Sequence, residues 1–287
     1  GPDMVNHNTS GYATGEDIRH FSHTHVAGTG GAGRYGNVGV VPLIQRPDSR
    51  TVGFAGEDET GRPGYYAVTL RPRQGFGELA NEGRVRVELA ATARCAIHRY
   101  TWSEGCDPWV RVDVGACIAG ACQSGHARWH DAATLVCSGT YAGGWGHAQP
   151  WQIHAVIAFS EAPLVRDAGG ADCRAVDARS WAGSGIQVFA GFSGRRLEVR
   201  AGISFTSPAM AWKNLGEVEG RSFEEVATEA AGKWDEIFSR ARVEGGGADD
   251  RTLWNTMLLR LFTMPGDHGT DEVPWMPVRR RHFNDLY

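Results

Sequence analysis

The chain has little lysine, no long apolar run and no start typical of an export signal. Only Lys213 and Lys233 are lysine among 29 basic residues, and the formal net charge is -4. A chain of this charge creates no basic surface for a phosphate backbone, so nucleic acid is not an expected partner. No segment approaches the roughly 18 apolar residues that span a bilayer, and residues 1–4 lack the basic and apolar regions of a signal peptide. No membrane partner is expected either.

Proline is also scarce, with 12 residues against 39 glycines. This imbalance favours many tight turns between short strands over a helical architecture. Short runs of β-branched and aromatic residues between about Val38 and Phe205 predict strands. These strands include residues 38–43, 65–70, 85–91, 98–102, 110–114, 152–159, 187–192 and 197–205.

The run from Val85 to Leu89 is typical of a half-buried antiparallel strand. Its apolar side chains stand at every second position, which buries one face and leaves Arg86 and Glu88 toward water. Many such strands separated by glycine-rich turns predict a mainly β protein with an antiparallel β-sandwich.

After Phe205 the apolar spacing becomes helical. A short helix is predicted over 208–215, and Ser222 with Glu225 forms a capping box for a second helix. Asp249 or Asp250 is expected to cap a third. The apolar stripes of the last two helices need a partner surface. We therefore divide the chain into a β-sandwich domain, 1–206, and a helical linker, 207–287.

The six cysteines lack the paired two-residue spacing of a zinc site. An even number scattered over one third of the chain favours disulfides over free buried thiols, and disulfides imply export from the cell. Cys117 and Cys122 are the predicted pair.

The densest polar segment, residues 19–25, contains His23 and His25 and leads directly into a glycine-rich loop, 28–36. The two histidines project to one side of a strand, which is compatible with metal ligation, but no third ligand is in reach. No buried parallel strand precedes the loop and no amphipathic helix follows it, so a dinucleotide site is excluded. Glycine lets the backbone approach a ligand closely, with Thr29, Arg34 and Tyr35 supplying side chains. The alternative is a turn-rich connection with core histidines.

Ten tryptophans and seven tyrosines exceed what the sandwich core needs. Their rings could stack on the apolar faces of sugars. A stand-alone carbohydrate-binding module is therefore a second hypothesis, with a platform built from Trp102, Trp109, Trp129, Trp145 and Trp151.

Residues 20–42, HFSHTHVAGTGGAGRYGNVGVVP, resemble the signature of glycoside hydrolase family 92, the exo-acting α-mannosidases. Asn37 stands where the family has aspartate, and Gly31 where it often has cysteine. Further resemblances follow in order at 63–70, 87–101, 198–207 and 254–265, so the similarity covers nearly the whole chain.

The resemblance implies a sandwich of the galactose-mutarotase-like supersandwich type, packed against a six-hairpin α/α barrel. The barrel would carry calcium and both catalytic carboxylates, which are expected downstream of Tyr287, so no metal site is expected within this segment. The implied reaction is hydrolysis with inversion, in which one carboxylic acid protonates the leaving oxygen and a second carboxylate activates water.

On this resemblance the glycine-rich loop lines the mannose pocket, and its role is positioning. The candidate contacts are His23, His25, Thr29, Gly30, Gly31 and Tyr35. The implied partners are mannose-containing glycans, α-1,2-linked or linked through phosphate, and the barrel of the same protein. A secreted bacterial enzyme is expected, and this segment alone is expected to be inactive.

Overall fold

Sixteen strands form one antiparallel sheet in the computed structural model, within the residues that it describes. The described residues are 2–4, 13–24, 36–46, 53–72, 83–118, 120–143, 150–262, 266–267 and 283–284. The strands of this sheet are β1 (Pro2–Met4), β2 (Ile18–Phe21), β3 (Gly39–Leu43), β4 (Phe54–Arg62), β5 (Tyr65–Pro72), β6 (Val85–Ala91), β7 (Cys95–Trp102), β8 (Trp109–Asp113), β9 (Gly120–Trp129), β10 (Thr134–Gly143), β11 (Trp151–Phe159), β12 (Val165–Gly169), β13 (Arg174–Asp177), β14 (Ser180–Gly183), β15 (Gln187–Gly191) and β16 (Arg196–Ser204).

The strand order is β12-β15-β8-β3-β2-β4-β5-β6-β7-β16-β11-β10-β9-β14-β13, with β1 beside β2. Two further short strands, β17 (Gly266–Asp267) and β18 (Phe283–Asn284), pair only with each other. The prediction of a mainly β, antiparallel fold is confirmed.

The long sheet folds back on itself, so that its two halves face each other as a sandwich. Strands β7 and β3 are far apart in the strand order, yet the indole N–H of Trp102 donates to the carbonyl of Leu43 at 2.9 Å. In the same way the Tyr141 hydroxyl of β10 donates to the carbonyl of Val114, just after β8, at 2.6 Å. Side chains from both halves form one continuous apolar core.

The eight strands predicted from the sequence all form, with ends shifted by a few residues. The sequence patterns do not predict strands β9 and β10, although each has 10 residues. On β9 the buried Ala127 and Trp129 alternate with exposed polar residues. Small, polar and glycine residues dilute the alternating signal in both strands.

Three α-helices follow the sheet: α1 (Pro208–Leu215), α2 (Phe223–Ser239) and α3 (Ala248–Leu261). The predicted capping box of α2 is confirmed, because Ser222 Oγ accepts from the Glu225 N–H and Glu225 Oε2 accepts from the Ser222 N–H. The predicted cap of α3 is wrong. Gly247 is the N-cap, and its N–H donates to Asp250 Oδ2 at 2.8 Å.

Helices α1 and α2 pack on the outer face of the sheet. The alternation of β6 predicted that this face contacts water, and the two helices cover part of it instead. Phe223 and Val226 of α2 are buried against Ile97 of β7. Arg99, also on the outward side of β7, forms ion pairs with Glu88 and Glu198 and a 2.6 Å pair with Glu224 of α2. Its guanidinium also lies 4.3 Å from the centre of the Phe223 ring. Apolar burial and paired charge thus hold α2 to the sheet.

Helix α3 has no buried residue. Its large apolar side chains Leu253, Trp254, Met257 and Leu261 are exposed. Strand β16 ends at Ser204 and α1 begins at Pro208, on either side of the boundary predicted at 206. The division into two domains stays a prediction. Among the described helices, none has the length and apolar character needed to cross a membrane.

We expect Gly202→Ala to displace α1. A Cβ at this position of β16 would lie 2.5 Å from the carbonyl oxygen of Ala211 and 2.7 Å from the backbone nitrogen of Leu215. Backbone atoms cannot rotate away as side chains do, so the free energy of unfolding should fall by about 1–3 kcal/mol. Urea unfolding measures this change.

Gly216→Ala is the matched control, since a Cβ at that position would meet no atom within 4 Å and the φ there is -58°. This substitution should leave the free energy of unfolding unchanged or raise it by up to about 1 kcal/mol. Equal stability of both variants would contradict the close packing of α1 on β16.

Candidate functional site

Residues 23–24 and 36–38, on either side of the glycine-rich loop, form two short stems that hydrogen-bond to each other. The N–H of His23 donates to the carbonyl of Asn37 at 3.2 Å, and the N–H of Gly36 donates to the carbonyl of Thr24 at 2.7 Å. Gly36 and Val38 both have positive φ, 81° and 54°. For a β-branched residue such as Val38 this conformation costs on the order of 1–3 kcal/mol, which the surrounding contacts must offset. The stems are therefore held in one defined geometry.

Asn37 is the centre of these contacts and is fully buried. Its N–H donates to Thr24 Oγ1 at 2.9 Å, and its Oδ1 accepts from the Thr24 hydroxyl at 3.1 Å. Its Nδ2 donates to the carbonyl of Ala116 at 3.1 Å, and the indole N–H of Trp151 approaches Oδ1 at 3.5 Å. One side chain thus joins both stems to the segment after β8 and to the start of β11.

His23 lies between the two layers at the end of the core. Its ring stacks on His98 of β7, with ring centres 5.1 Å apart and planes 7° from parallel. Its Nδ1 lies 2.6 Å from the carbonyl oxygen of Val38. Because a carbonyl only accepts, Nδ1 carries the hydrogen and Nε2 presents a lone pair, for which the described residues supply no partner.

Burial lowers the pKa of His23 to about 4, and it lowers the pKa of His98 well below its usual range. Both rings are therefore neutral at pH 7. His98 Nδ1 lies 2.7 Å from the Tyr100 hydroxyl. The pair can accept or donate hydrogen bonds, but it carries no charge toward a ligand.

The remaining predicted contacts, His25, Thr29, Gly30, Gly31 and Tyr35, lie outside the described residues. The structure brings together only the stems beside them, and the contact of these residues and of His23 with a substrate stays a prediction. Within the described ranges, no group of three histidine, cysteine or acidic side chains could hold a metal ion.

Three tryptophans of the predicted sugar platform are core residues, which corrects that hypothesis. Trp102, Trp109 and Trp129 are buried. Trp151 is half-buried and stacks on Tyr141. Trp145 lies outside the described residues.

None of the six cysteines is bridged in the structure, and the disulfide between Cys117 and Cys122 stays a prediction. Cys95 is buried beneath α1, where its thiol donates to the carbonyl of Asn214. Cys137 is buried in the core, and burial raises the pKa of both Cys95 and Cys137 to about 12. These two behave as small apolar residues.

Sequence reasoning missed Thr24 and His98 as parts of this site, and it assigned Trp151 to a separate tryptophan platform. His98 is 75 positions from His23, and no spacing rule links residues so far apart. The only available signal was a histidine in an otherwise apolar alternation on β7, which is equally typical of a core histidine. Asn37 stands out in the sequence as a departure from a family pattern, but that departure assigns it no role.

Comparison with known proteins agrees with this fold. The model of the glycosyl hydrolase family 92 N-terminal domain matches residues 1–204. The chain therefore belongs to glycoside hydrolase family 92, and the matched part is the N-terminal domain of that family.

Individual relatives are considerably longer than this chain. An uncharacterized secreted glycosidase of Arthroderma benhamiae is 26% identical over an alignment 317 residues long. The alignment covers 98% of this chain and 39% of the relative. A family GH92 α-mannosidase of Bacteroides thetaiotaomicron superposes with a TM-score of 0.80 at 19% identity, over 94% of this chain and 38% of the other. A GH92 inverting mannosidase of the same organism gives 0.73 at 20% identity, over 93% and 35%. At these identities the two structures show a shared fold.

We expect Asn37→Asp to destabilise the protein by about 2–4 kcal/mol at pH 7. The substitution replaces the amide that donates to Ala116 with an oxygen and buries a charge for which the contacts of Asn37 in the described residues supply no cation. Since protonating the new carboxyl removes the charge, the difference in free energy of unfolding between variant and parent should become smaller as the pH falls toward 4. Urea unfolding between pH 7 and 4 measures this difference. Asn255→Asp makes the same chemical change at an exposed position of α3 and should cost under about 0.5 kcal/mol.

The buried histidines predict an acid-sensitive fold. Between pH 6.5 and about 4 the unfolded chain binds a proton at His23 that the folded chain does not, so folding stability falls as the pH falls through this window. The loss from His23 is up to about 3 kcal/mol, and His98 adds to it in the same direction.

His98→Phe tests this prediction because it keeps a flat ring and removes one titrating group. The free energy of unfolding, measured in urea between pH 7 and 4.5, should depend less steeply on pH in the variant. An identical slope in the variant and the parent would mean that His98 is not a source of the acid sensitivity.

Proposed function

We propose that this chain is the substrate-shaping part of an inverting exo-α-mannosidase that hydrolyses terminal α-mannosides of glycans. Membership of family 92 and the shared fold with two mannosidases support this proposal. The observation that carries it is the fixed geometry of the loop stems, in which buried Asn37 ties residues 23–24 to residues 36–38. A loop fixed at both stems can hold a sugar ring in one orientation, which is the positioning that hydrolysis requires.

In this proposal the loop supplies contacts and the proton transfers are made elsewhere in the polypeptide. Thr29 and Tyr35 offer hydroxyls to the sugar, Gly30 and Gly31 let the backbone approach it, and His25 lines the pocket. His23 contributes a neutral ring whose Nε2 lone pair accepts a hydrogen bond. Calcium and the two carboxylates are proposed to belong to an α/α barrel of the same polypeptide, as the family resemblance implies.

We further propose that the enzyme is secreted, in keeping with the secreted glycosidase of Arthroderma to which it is similar. The stand-alone carbohydrate-binding module is the weaker alternative. Its tryptophan platform would need Trp102, Trp109 and Trp129 at the surface, and these side chains fill the core. The exposed apolar face of α3 is also unexpected in an independent module.

The proposal predicts that Thr29→Val and Tyr35→Ala each lower kcat/KM on an α-1,2-linked mannobiose by about tenfold in the complete polypeptide, the loss of roughly one substrate hydrogen bond to a site held rigid. Thr29→Ser keeps the hydroxyl and should retain most activity. Proton NMR of the released mannose reports the anomer formed first, and inversion requires the β-anomer.

Unchanged kcat/KM in both variants would show that the loop does not form the pocket. Absence of mannose release from any α-mannoside by the complete polypeptide, with calcium present, would refute the proposed activity itself. The 287-residue chain alone should release no mannose with or without calcium.

A further inference from the structure

A cleft of about 210 Å³, lined by polar residues and two glycines, lies on the outer face of β9, β10 and β11. The pairing register places His126, Ser138 and His154 side by side in one row across the three strands. Thr140 and Gln152 are likewise direct cross-strand neighbours in the next row. The side chains that line this outer cleft are Ser124, His126, Ser138, Thr140, Gln152 and His154.

The floor of the outer cleft is fixed. His154 is largely buried, and its Nδ1 lies 2.8 Å from Ser138 Oγ. His154 also pairs in register with Ser204 of β16, whose Oγ accepts from the N–H groups of Thr206 and Ser207 where the chain turns into α1. The start of α1 therefore supports one side of the cleft.

Four side chains around this floor are available to hydrogen-bond a ligand. Ser124, His126, Thr140 and Gln152 have no side-chain hydrogen bond to any part of the chain that the structure describes. Together they offer two hydroxyls, an imidazole and an amide, which supply both donors and acceptors. All four converge on the same small volume.

The chemistry of the outer cleft differs from that of the rest of the outer face. Along β6, β7 and β16 the outward side chains include charged groups that pair with one another, as in the contacts of Arg99 with Glu88 and Glu198. Among the described residues that line the cleft there is no aspartate, glutamate, lysine or arginine. A face that is merely solvated would be expected to carry charges as its neighbours do.

We propose that the outer cleft binds one neutral sugar residue, at a site separate from the glycine-rich loop. Hydroxyl, amide and imidazole groups, without an acidic, lysine or arginine side chain, suit a polyhydroxylated ligand better than a phosphate or a metal ion. The volume is below the roughly 300–1,000 Å³ of pockets that hold drug-sized ligands, and it suits a single ring. The choice of a mannoside as the probe rests on the proposed function.

The position of the cleft connects it to the candidate site. The pair Thr140 and Gln152 is followed at once by the pair Tyr141 and Trp151. Trp151 in turn reaches Asn37 at the base of the loop. The outer cleft and the loop site therefore lie at the same end of the sandwich, where one glycan could contact both.

NMR titration of the chain with methyl α-mannoside tests the proposal, with the imidazole signals of His126 and His154 as reporters. Both signals should shift in a saturable manner with a millimolar dissociation constant. Thr140→Val and Gln152→Ala should each weaken binding roughly fivefold, the loss of one hydrogen bond. Gln123→Ala removes the same type of side chain from an exposed position of β9 outside the cleft and should leave binding unchanged.

Three outcomes would overturn the proposal: no saturable shift of either histidine with a neutral sugar, shifts with inorganic phosphate in place of the sugar, or equal affinity in the cleft variants and in Gln123→Ala. Thermal unfolding of each variant checks that the fold is intact. Tyr35→Ala should leave these shifts unchanged, so the outer cleft and the loop site are tested independently. Loss of mannosidase activity in a loop variant would bear on the proposed function and not on the cleft.

Discussion

The packing of β7 against β2 and β3 is the contact on which the rest of the structure depends. The inward side chains of β7 form a continuous line of rings, in which His98, Tyr100 and Trp102 succeed one another at about 5.8 Å. At one end of this line Trp102 donates to the carbonyl of Leu43, and at the other His98 stacks on His23. A buried indole N–H without an acceptor would cost about 1–3 kcal/mol. Trp102 therefore depends on the facing layer for its acceptor, and the facing layer depends on the Trp102 ring for its packing. The core and the candidate site share this one line of side chains.

The outer face of the same sheet is divided into two regions with different physical chemistry. Under α2 the outward side chains include both apolar and charged groups, and Arg99 is almost fully buried among three glutamates and the Phe223 ring. The pairing compensates the desolvation of the guanidinium, because a buried charge without partners would destabilise the fold by several kcal/mol. Beside α1 the cleft side chains of β9 to β11 include no acidic, lysine or arginine residue, and four of them have no side-chain hydrogen bond to the described residues. A helix thus covers the region where charges are satisfied internally, and a cleft remains open where polar groups are not.

At the candidate site the geometry is set by buried neutral groups. Asn37 has both a donor and an acceptor on one side chain, and it uses the amide toward Ala116 and the oxygen toward Thr24. The family resemblance places aspartate at this position, and an ionised carboxylate only accepts hydrogen bonds. The chain therefore fixes its loop stems by a neutral network where the family pattern has an acid. The positive φ of Val38 is tolerated within that network, and strained backbone beside a binding loop is a common feature of functional sites.

Local patterns in the sequence were sufficient for eight strands, for α1 with the same bounds as observed and for the capping box at Ser222, since alternation, helical period and capping depend on near neighbours. The family signature around residues 20–42 was also recognisable, because it lies in one continuous segment. Strands β9 and β10, the stacking of His23 on His98 and the burial of Trp102 and Trp129 were decided only by the tertiary structure. These features depend on which strands face each other after the sheet folds back, and residues 75 positions apart leave no periodic trace of that contact. Likewise the alternation of β6 predicts charges in contact with water, because nothing local indicates that α2 returns to cover that face of the sheet.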